Sequence, residues 1–265
     1  MLILNFRVLI LPGCLFSIIS CYSQGTNKST ISITNISPYH LVWSDEFNGQ
    51  KVDTSVWQFE TGANGWGNHE QEFYQAANAT EANGNLIITA IKESPGAHPY
   101  TSARMRTLGR KSFKYGKIEA RIKIPVGEGL WPAFWMLGDD ITTINWPACG
   151  ETDIMEHINA DSIIYGTIHW DNNGHAQNGG HINTTPAEFH VYSVEWDADS
   201  IKWFVDKTEY HAANINTNNT EEFHRPFFII FNLAVGGDWP GQKVDDSLFP
   251  AKMYVDYVRV YQKKP

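Results

Sequence analysis

Between Lys117 and Ile124 the chain alternates without a break. Lys117, Glu119, Arg121 and Lys123 interleave with Ile118, Ala120, Ile122 and Ile124, and Pro125 follows. Successive side chains of a strand point to opposite faces, so this period of two predicts a strand with one face buried and one in water. Related patterns recur. Tyr192, Val194 and Trp196 alternate with Ser193 and Glu195, Asp197 to Ser200 read as a turn, and Ile201 to Val205 return as the second arm of a hairpin. Phe227 to Val235 is a nearly unbroken apolar run closed by Gly236-Gly237, as suits a strand covered on both faces. Asn85 to Ala90 and Met253 to Tyr261 read as further strands, and no stretch has the pattern of a long amphipathic helix. Many short strands separated by Gly, Pro and Asn imply an all-β sandwich or barrel, and 265 residues fit one such unit.

The N-terminus reads as a targeting segment rather than part of that unit. Arg7 precedes an apolar run from Val8 to Ile19, too short for a comfortable membrane span and interrupted by Pro12 and Gly13. Two cleavage readings stand side by side. Ile18-Ile19-Ser20-Cys21 resembles a bacterial lipobox, which would leave Cys21 as a lipidated N-terminus, and Cys21-Tyr22-Ser23 offers ordinary cleavage before Gln24. Residues 1–23 are therefore expected to be a signal peptide, 24–38 a Ser/Thr/Asn-rich linker and 39–265 one domain. The expected location is bacterial: secreted, or an outer-membrane lipoprotein facing the periplasm or exterior. Cys14 leaves with the leader, so Cys21 and Cys149 build no disulfide framework, and Cys149 reads as a buried small residue. A net charge of −9 argues against a nucleic-acid partner, which needs a basic face. Ten Trp, with 13% aromatic residues overall, suit either a Trp-rich core or a surface that stacks on sugar rings. Asn27, Asn78 and Asn183 begin glycosylation sequons that matter only in a eukaryotic secretory host.

The chemistry concentrates in Gly150-Glu151-Thr152-Asp153-Ile154-Met155-Glu156-His157. On a helix the three acids would scatter around the cylinder. On a regular strand Glu151 and Asp153 share a face and Glu156 points the other way. One β-bulge near Ile154-Met155 restores the phase and lines all three along one face. The outer glutamates then have Cα atoms about 13 Å apart at ~3.3 Å per residue. Side chains leaning inward approach the ~5–5.5 Å carboxyl separation of a retaining glycosidase. In that mechanism one acid attacks the anomeric carbon and the other protonates the leaving oxygen. Asp153 between them can hold a proton or hydrogen bond that orients the nucleophile. The plain alternative is an acidic strand face turned to solvent.

This heptapeptide, Gly150 to Glu156, resembles the active-site strand of glycoside hydrolase family 16 in its bulged, laminarinase-like form. Gly129 to Leu137 (GLWPAFWML) resembles that group's cleft strand, Trp43-Ser44-Asp45-Glu46-Phe47 its first strand, Trp66-Gly67-Asn68-His69-Glu70 its first cleft loop, and Val255 to Tyr261 its closing strand. The likeness runs in order over about residues 40 to 262. Thr152 departs from it, where a branched apolar residue is usual, and is expected to point away from the cleft.

The resemblance implies a β-jelly-roll sandwich of two antiparallel sheets, concanavalin A-like, with a substrate cleft across the concave sheet. It implies endo-hydrolysis of β-1,3-glucan with retention, Glu151 as nucleophile, Glu156 as acid/base and Asp153 assisting. Trp131 and Trp135, four apart, share a strand face and suit stacking on glucosyl rings, with core packing as the alternative. Arg104 and Asn68 resemble sugar-contacting residues of the family, a surface salt bridge being the alternative for Arg104. His169, placed on the strand beside the catalytic one, suits a bond to sugar or to Glu156, or a structural role. His157 reads as structural. No cofactor is expected for catalysis. A structural calcium at Glu46, Gly84 and Asp256, mostly through backbone oxygens, rests on the resemblance alone. A monomer is expected, with a β-glucan polysaccharide as its partner. Mixed-linkage β-glucan, agarose or carrageenan as substrate, and a non-catalytic glucan-binding lectin, are the competing readings. The lectin reading is disfavoured because all three acids are present.

Overall fold

The structure is a computed structural model and describes residues 38–94 and 96–264. The expected signal peptide, Cys21 and the Asn27 sequon lie outside the described residues, as does the expected linker apart from Pro38.

Among the described residues, eighteen strands carry the fold: β1 (Tyr39–Asp45), β2 (Gln58–Glu60), β3 (Glu72–Tyr74), β4 (Ala79–Ala82), β5 (Asn85–Ala90), β6 (Tyr100–Ser102), β7 (Arg104–Arg106), β8 (Ser112–Phe113) and β9 (Gly116–Lys123), then β10 (Leu130–Gly138), β11 (Glu151–Glu156), β12 (Ile163–Asp171), β13 (His175–Asn183), β14 (His190–Trp196), β15 (Ser200–Val205), β16 (Thr208–Asn214), β17 (Phe227–Val235) and β18 (Ala251–Lys263). They form two large antiparallel sheets. The rear sheet runs β16-β15-β14-β9-β18-β5-β4, with β1 also on β18, and the front sheet runs β13-β12-β11-β10-β17-β7-β2, with β8 also on β17. A short parallel pair, β3 and β6, completes it. This is the jelly-roll sandwich that the period-two pattern and the family resemblance together predict.

The two inner faces share one apolar core. Ile118, Ala120 and Ile122 of β9 meet, in the same cluster, Phe134 and Met136 of β10, Ile154 and Met155 of β11, Ile168 of β12 and Phe231 and Leu233 of β17. Phe134 and Phe231 stack with ring centroids 4.8 Å apart. Every residue of β17 is buried, which is why its sequence shows no alternation. The alternating β9 instead leaves Lys117, Arg121 and Lys123 partly exposed.

One stretch differs from its sequence reading. The sequence pattern assigns no strand between His175 and Asn183, yet these nine residues form β13, paired with β12 from Ile163↔Asn183 to Asp171↔His175. Its composition, His-Ala-Gln-Asn-Gly-Gly-His-Ile-Asn, hides a strand because it lies at the sheet edge with most side chains exposed. Asn78 also departs from its sequon reading. It is buried, and its amide donates to the Thr89 carbonyl (2.7 Å) and the Thr101 hydroxyl (3.0 Å), leaving no nitrogen for a glycan.

Candidate active site

The bulge that the acid spacing requires is present in β11. Toward β10, Phe134 faces Met155 and Trp135 faces Asp153, so Ile154 has no partner there. Toward β12, Asp153 pairs with Thr167 and Glu156 with Tyr165, so Ile154 and Met155 together stand opposite Gly166. Both bulge residues point into the core, 1% and 0% exposed. Thr152 is likewise buried, away from the cleft. Glu151, Asp153 and Glu156 all line one cleft of about 840 Å3 across the front sheet.

The rear sheet fixes this kink. The indole N–H of Trp203, on β15, crosses the core and donates to the backbone carbonyl of Asp153 at 2.7 Å. Gly166 makes room for it, because a Cβ there would stand 2.3 Å from Trp203 Cδ1 and 2.4 Å from the Tyr210 hydroxyl. The glycine opposite the bulge is therefore a packing requirement, independent of its own backbone angles.

Burial dominates the electrostatics of the three acids. It pushes Glu151 up to about 8, reinforced by the nearby Asp153 carboxylate and opposed by His169 and by the Trp146 indole. Asp153, 2% exposed, rises to about 7 for the same reason, its hydrogen bond with Glu151 opposing the rise. Glu156 is held well above the ordinary range by burial first and by the Asp153 charge second. Three carboxyls this close cannot all ionise, so protons are shared among them. Each outer glutamate has one indole donor: Trp146 Nε1 to Glu151 Oε2 at 2.7 Å and Trp131 Nε1 to Glu156 Oε1 at 2.9 Å. The arrangement holds one buried acid protonated beside another whose anion has a donor and a histidine, which is the division of labour that acid–nucleophile chemistry needs.

The remaining sequence-predicted residues fall on the same cleft, with added partners. Trp131 and Trp135 both line it. Trp135 donates to Asn232 Oδ1 at 2.8 Å and lies under the Arg104 guanidinium at 4.8 Å. Arg104 is held between Trp135 and Trp66 (5.0 Å) and donates through Nε to Glu60 at 2.5 Å, so it is both ion-paired and part of the cleft wall. Asn68 donates to Glu70 Oε1 at 3.2 Å. His169, opposite Glu151 in the ladder, has Nε2 3.1 Å from Asp153 Oδ2 and Nδ1 2.8 Å from His175 Nε2. It faces Asp153 rather than Glu156. His157 is fully buried and bonds the Asp161 carbonyl at 3.0 Å, outside the cleft. Cys149 is buried and its thiol is pushed up to about 11, so it stays protonated.

Trp146, Trp239, Tyr165 and His175 also line the cleft without having been singled out from the sequence, and Trp66 lines it from the loop that resembles the family's first cleft loop. Trp239 meets Trp131 edge-on at 5.6 Å and Tyr165 at 5.0 Å, and Trp146 packs on His175 at 4.7 Å. Trp146 and Trp239 remain 46% and 41% exposed, large apolar faces left open at the cleft rim. Their excess over a core's needs was the only available signal.

The family model for glycosyl hydrolases family 16 matches residues 66–259. The chain belongs to this family. Within it, the chain is 44% identical to the clotting factor G alpha subunit of Tachypleus tridentatus, over 92% of this chain and 37% of that protein, so it spans about a third of that relative's length. It is 41% identical to a beta-glucanase of Rhodothermus marinus, over 92% of this chain and 91% of that one. The solved laminarinase of Rhodothermus marinus superposes with a TM-score of 0.80 at 41% identity, covering 86% of this chain and 98% of that chain. More distant relatives are named for other linkages: a keratan-sulfate endo-1,4-beta-galactosidase of Sphingobacterium multivorum (34% identical, 89% of this chain and 57% of that one) and an endo-1,3-1,4-beta-glycanase of Rhizobium meliloti (30%, 91% and 54%).

The calcium that the family resemblance implies can be tested against its residues. Glu46 is taken by Arg259 through two bonds of 2.9 and 2.7 Å, and Asp256 by Arg121 at 2.7 Å. Their carboxylates are thus engaged, and only backbone carbonyls remain as donors. Two features suit backbone ligation: Asp256 sits in a bulge of β18 against β9, out of the ladder, and Gly84 (φ +70°) follows Asn83 (φ +54°) in the β4–β5 turn.

Proposed function

We propose that this family 16 hydrolase cleaves β-1,3-glucan internally by a retaining double displacement. The observation that carries the reading is the β11 bulge, which turns Glu156 back onto the face of Glu151 and Asp153 inside an aromatic-lined cleft. Glu151, its anion supported by Trp146 and His169, attacks the anomeric carbon. Glu156, held protonated by burial, protonates the glycosidic oxygen as that bond breaks. The Glu156 carboxylate then takes a proton from water, the water oxygen bonds to the anomeric carbon, and Glu151 is released. Asp153 shares a proton with Glu151 and sets when that nucleophile is ionised. Trp131 and Trp135 offer faces for glucosyl rings, and Arg104, Asn68 and His169 offer hydroxyl contacts.

The substrate rests on the names of the nearer relatives, and the galactan and mixed-linkage names mark the alternatives. Product analysis on laminarin, lichenan and agarose tests it. Oligosaccharides released from laminarin support the reading, and release only from lichenan or agarose replaces it. Two companion proposals stand beside it. The chain is exported, with Cys21 as the lipid-bearing or discarded residue, which mass spectrometry of the mature N-terminus decides. A calcium held by the carbonyls of Glu46, Gly84 and Asp256 serves stability, and a chelator then lowers the Tm without a direct effect on the carboxylates of the cleft.

A further inference from the structure

We propose that the cleft holds a second kind of ligand: a borderline transition-metal cation such as Zn2+ or Cu2+, bound by Asp153, His169 and Glu151 and exclusive of catalysis. The ligand atoms of these three residues lie within 4.8 Å of one another. An ion about 2.0–2.2 Å from each donor needs donor separations of roughly 3.4 Å, so the cluster closes by at most about 1.4 Å, within the reach of side-chain torsions.

An independent observation marks the same place: a buried carboxylate oxygen of the cluster. Among the described residues, no N–H or hydroxyl donor hydrogen-bonds the buried Asp153 Oδ2. His169 Nε2 is 3.1 Å away, a contact that is an ion pair only when the ring is protonated and that leaves a lone pair facing the site when it is not. A buried carboxylate oxygen without a donor is costly. A cation between it and the imidazole lone pair would satisfy both. The opposite ring nitrogen, His169 Nδ1, meets His175 Nε2 at 2.8 Å, and the two rings stack with centroids 5.1 Å apart. That is the outer-shell support a metal-bound histidine uses to fix its tautomer. One imidazole and two carboxylates with an open fourth position suit zinc or copper. Calcium and magnesium, which want six or more oxygens, are poorly served. A bound ion takes up the Glu151 carboxylate, so the metal form is inactive and the site links activity to free metal.

Isothermal calorimetry with zinc chloride, on the metal-free protein near neutral pH, tests this without relying on turnover. One equivalent of Zn2+ is expected to bind, Cu2+ more tightly, and Mg2+ not measurably. H175A, a change at an exposed position, is expected to weaken Zn2+ binding by about 10–100-fold through loss of the outer-shell bond. H169A and D153N are expected to weaken it further, while H69A, which removes an exposed His69–Asp238 pair (2.9 Å) elsewhere, leaves it unchanged. Zinc binding that survives H169A, D153N and H175A undiminished overturns the proposal, as does the absence of any one-equivalent binding. The activity reading stands or falls separately, on turnover in the presence of a chelator.

Discussion

The backbone carbonyl of Asp153 accepts the indole N–H of Trp203 at 2.7 Å, across the core from the opposite sheet. The central acid of the cleft is therefore positioned from behind by a residue fifty positions downstream. Because the carbonyl belongs to a bulge, it has lost part of its ladder pairing, and the indole replaces that partner.

This dependence is open to mutation. In G166A the new methyl would meet Trp203 and the Tyr210 hydroxyl at 2.3 and 2.4 Å, so the indole must retreat. A destabilisation of about 1–3 kcal/mol is expected from overpacking in denaturant melts. W203F removes the donor and leaves a buried carbonyl unpaired, at a cost of about 1–3 kcal/mol. Both variants are also expected to lose kcat with folded protein remaining, since the bulge sets the direction of all three acids.

D153N removes the negative neighbour that raises Glu151 after burial has done so. Glu151 is then easier to ionise. The acid limb of the kcat/KM profile is expected to move to lower pH, even as the maximal rate falls from loss of the shared proton. A profile of unchanged shape would separate Asp153 from the ionisation of Glu151.

E156Q keeps the size of the side chain and its contact with Trp131, and removes the transferable proton. Activity on laminarin is expected to drop by about 10²–10⁴-fold. Substrates with a good leaving group, such as an aryl glycoside that needs no proton at departure, are expected to lose far less in the first step. Equal losses on both would place the acid elsewhere.

The acids were legible in the sequence because strand geometry is strict. With side chains alternating, residues 151, 153 and 156 share a face only if one residue is inserted between them, and the structure puts it at Ile154 and Met155. The fully buried β17 and the alternating β9 were equally plain. Their patterns come from burial, which a local window records. Trp146, Trp239 and His175 were not legible. They reach the cleft from connections and from a polar edge strand, where position depends on contacts such as Arg225 donating to the Ala148 carbonyl at 2.7 Å. Nor was the buried pair Glu70 and Glu72 visible, for nothing local shows that Glu72 accepts the Val235 N–H at 2.6 Å from a strand 163 residues on.

Stability should fall as pH rises from about 5 to 8. Glu151, Asp153, Glu156 and Glu72 all have folded-state pKa values raised, chiefly by burial. The folded protein holds protons there that the unfolded chain releases near its ordinary carboxylate pKa. Their stabilising contribution is complete below that ordinary value and is lost as pH climbs through the folded values of about 7 for Asp153 and 8 for Glu151. Thermal melts across this range check it, and the decline is expected to shrink in E151Q.

The central claim is that Glu151 forms a bond to the sugar. A slow 2-deoxy-2-fluoro glucosyl substrate with an activated leaving group accumulates the glycosyl-enzyme, and peptide mass spectrometry then locates the label. One added glycosyl residue per chain is expected, bonded to a carboxylate oxygen of the Glu151 side chain. A label on Asp153 or Glu156, or no label while hydrolysis releases the inverted anomer, would contradict it.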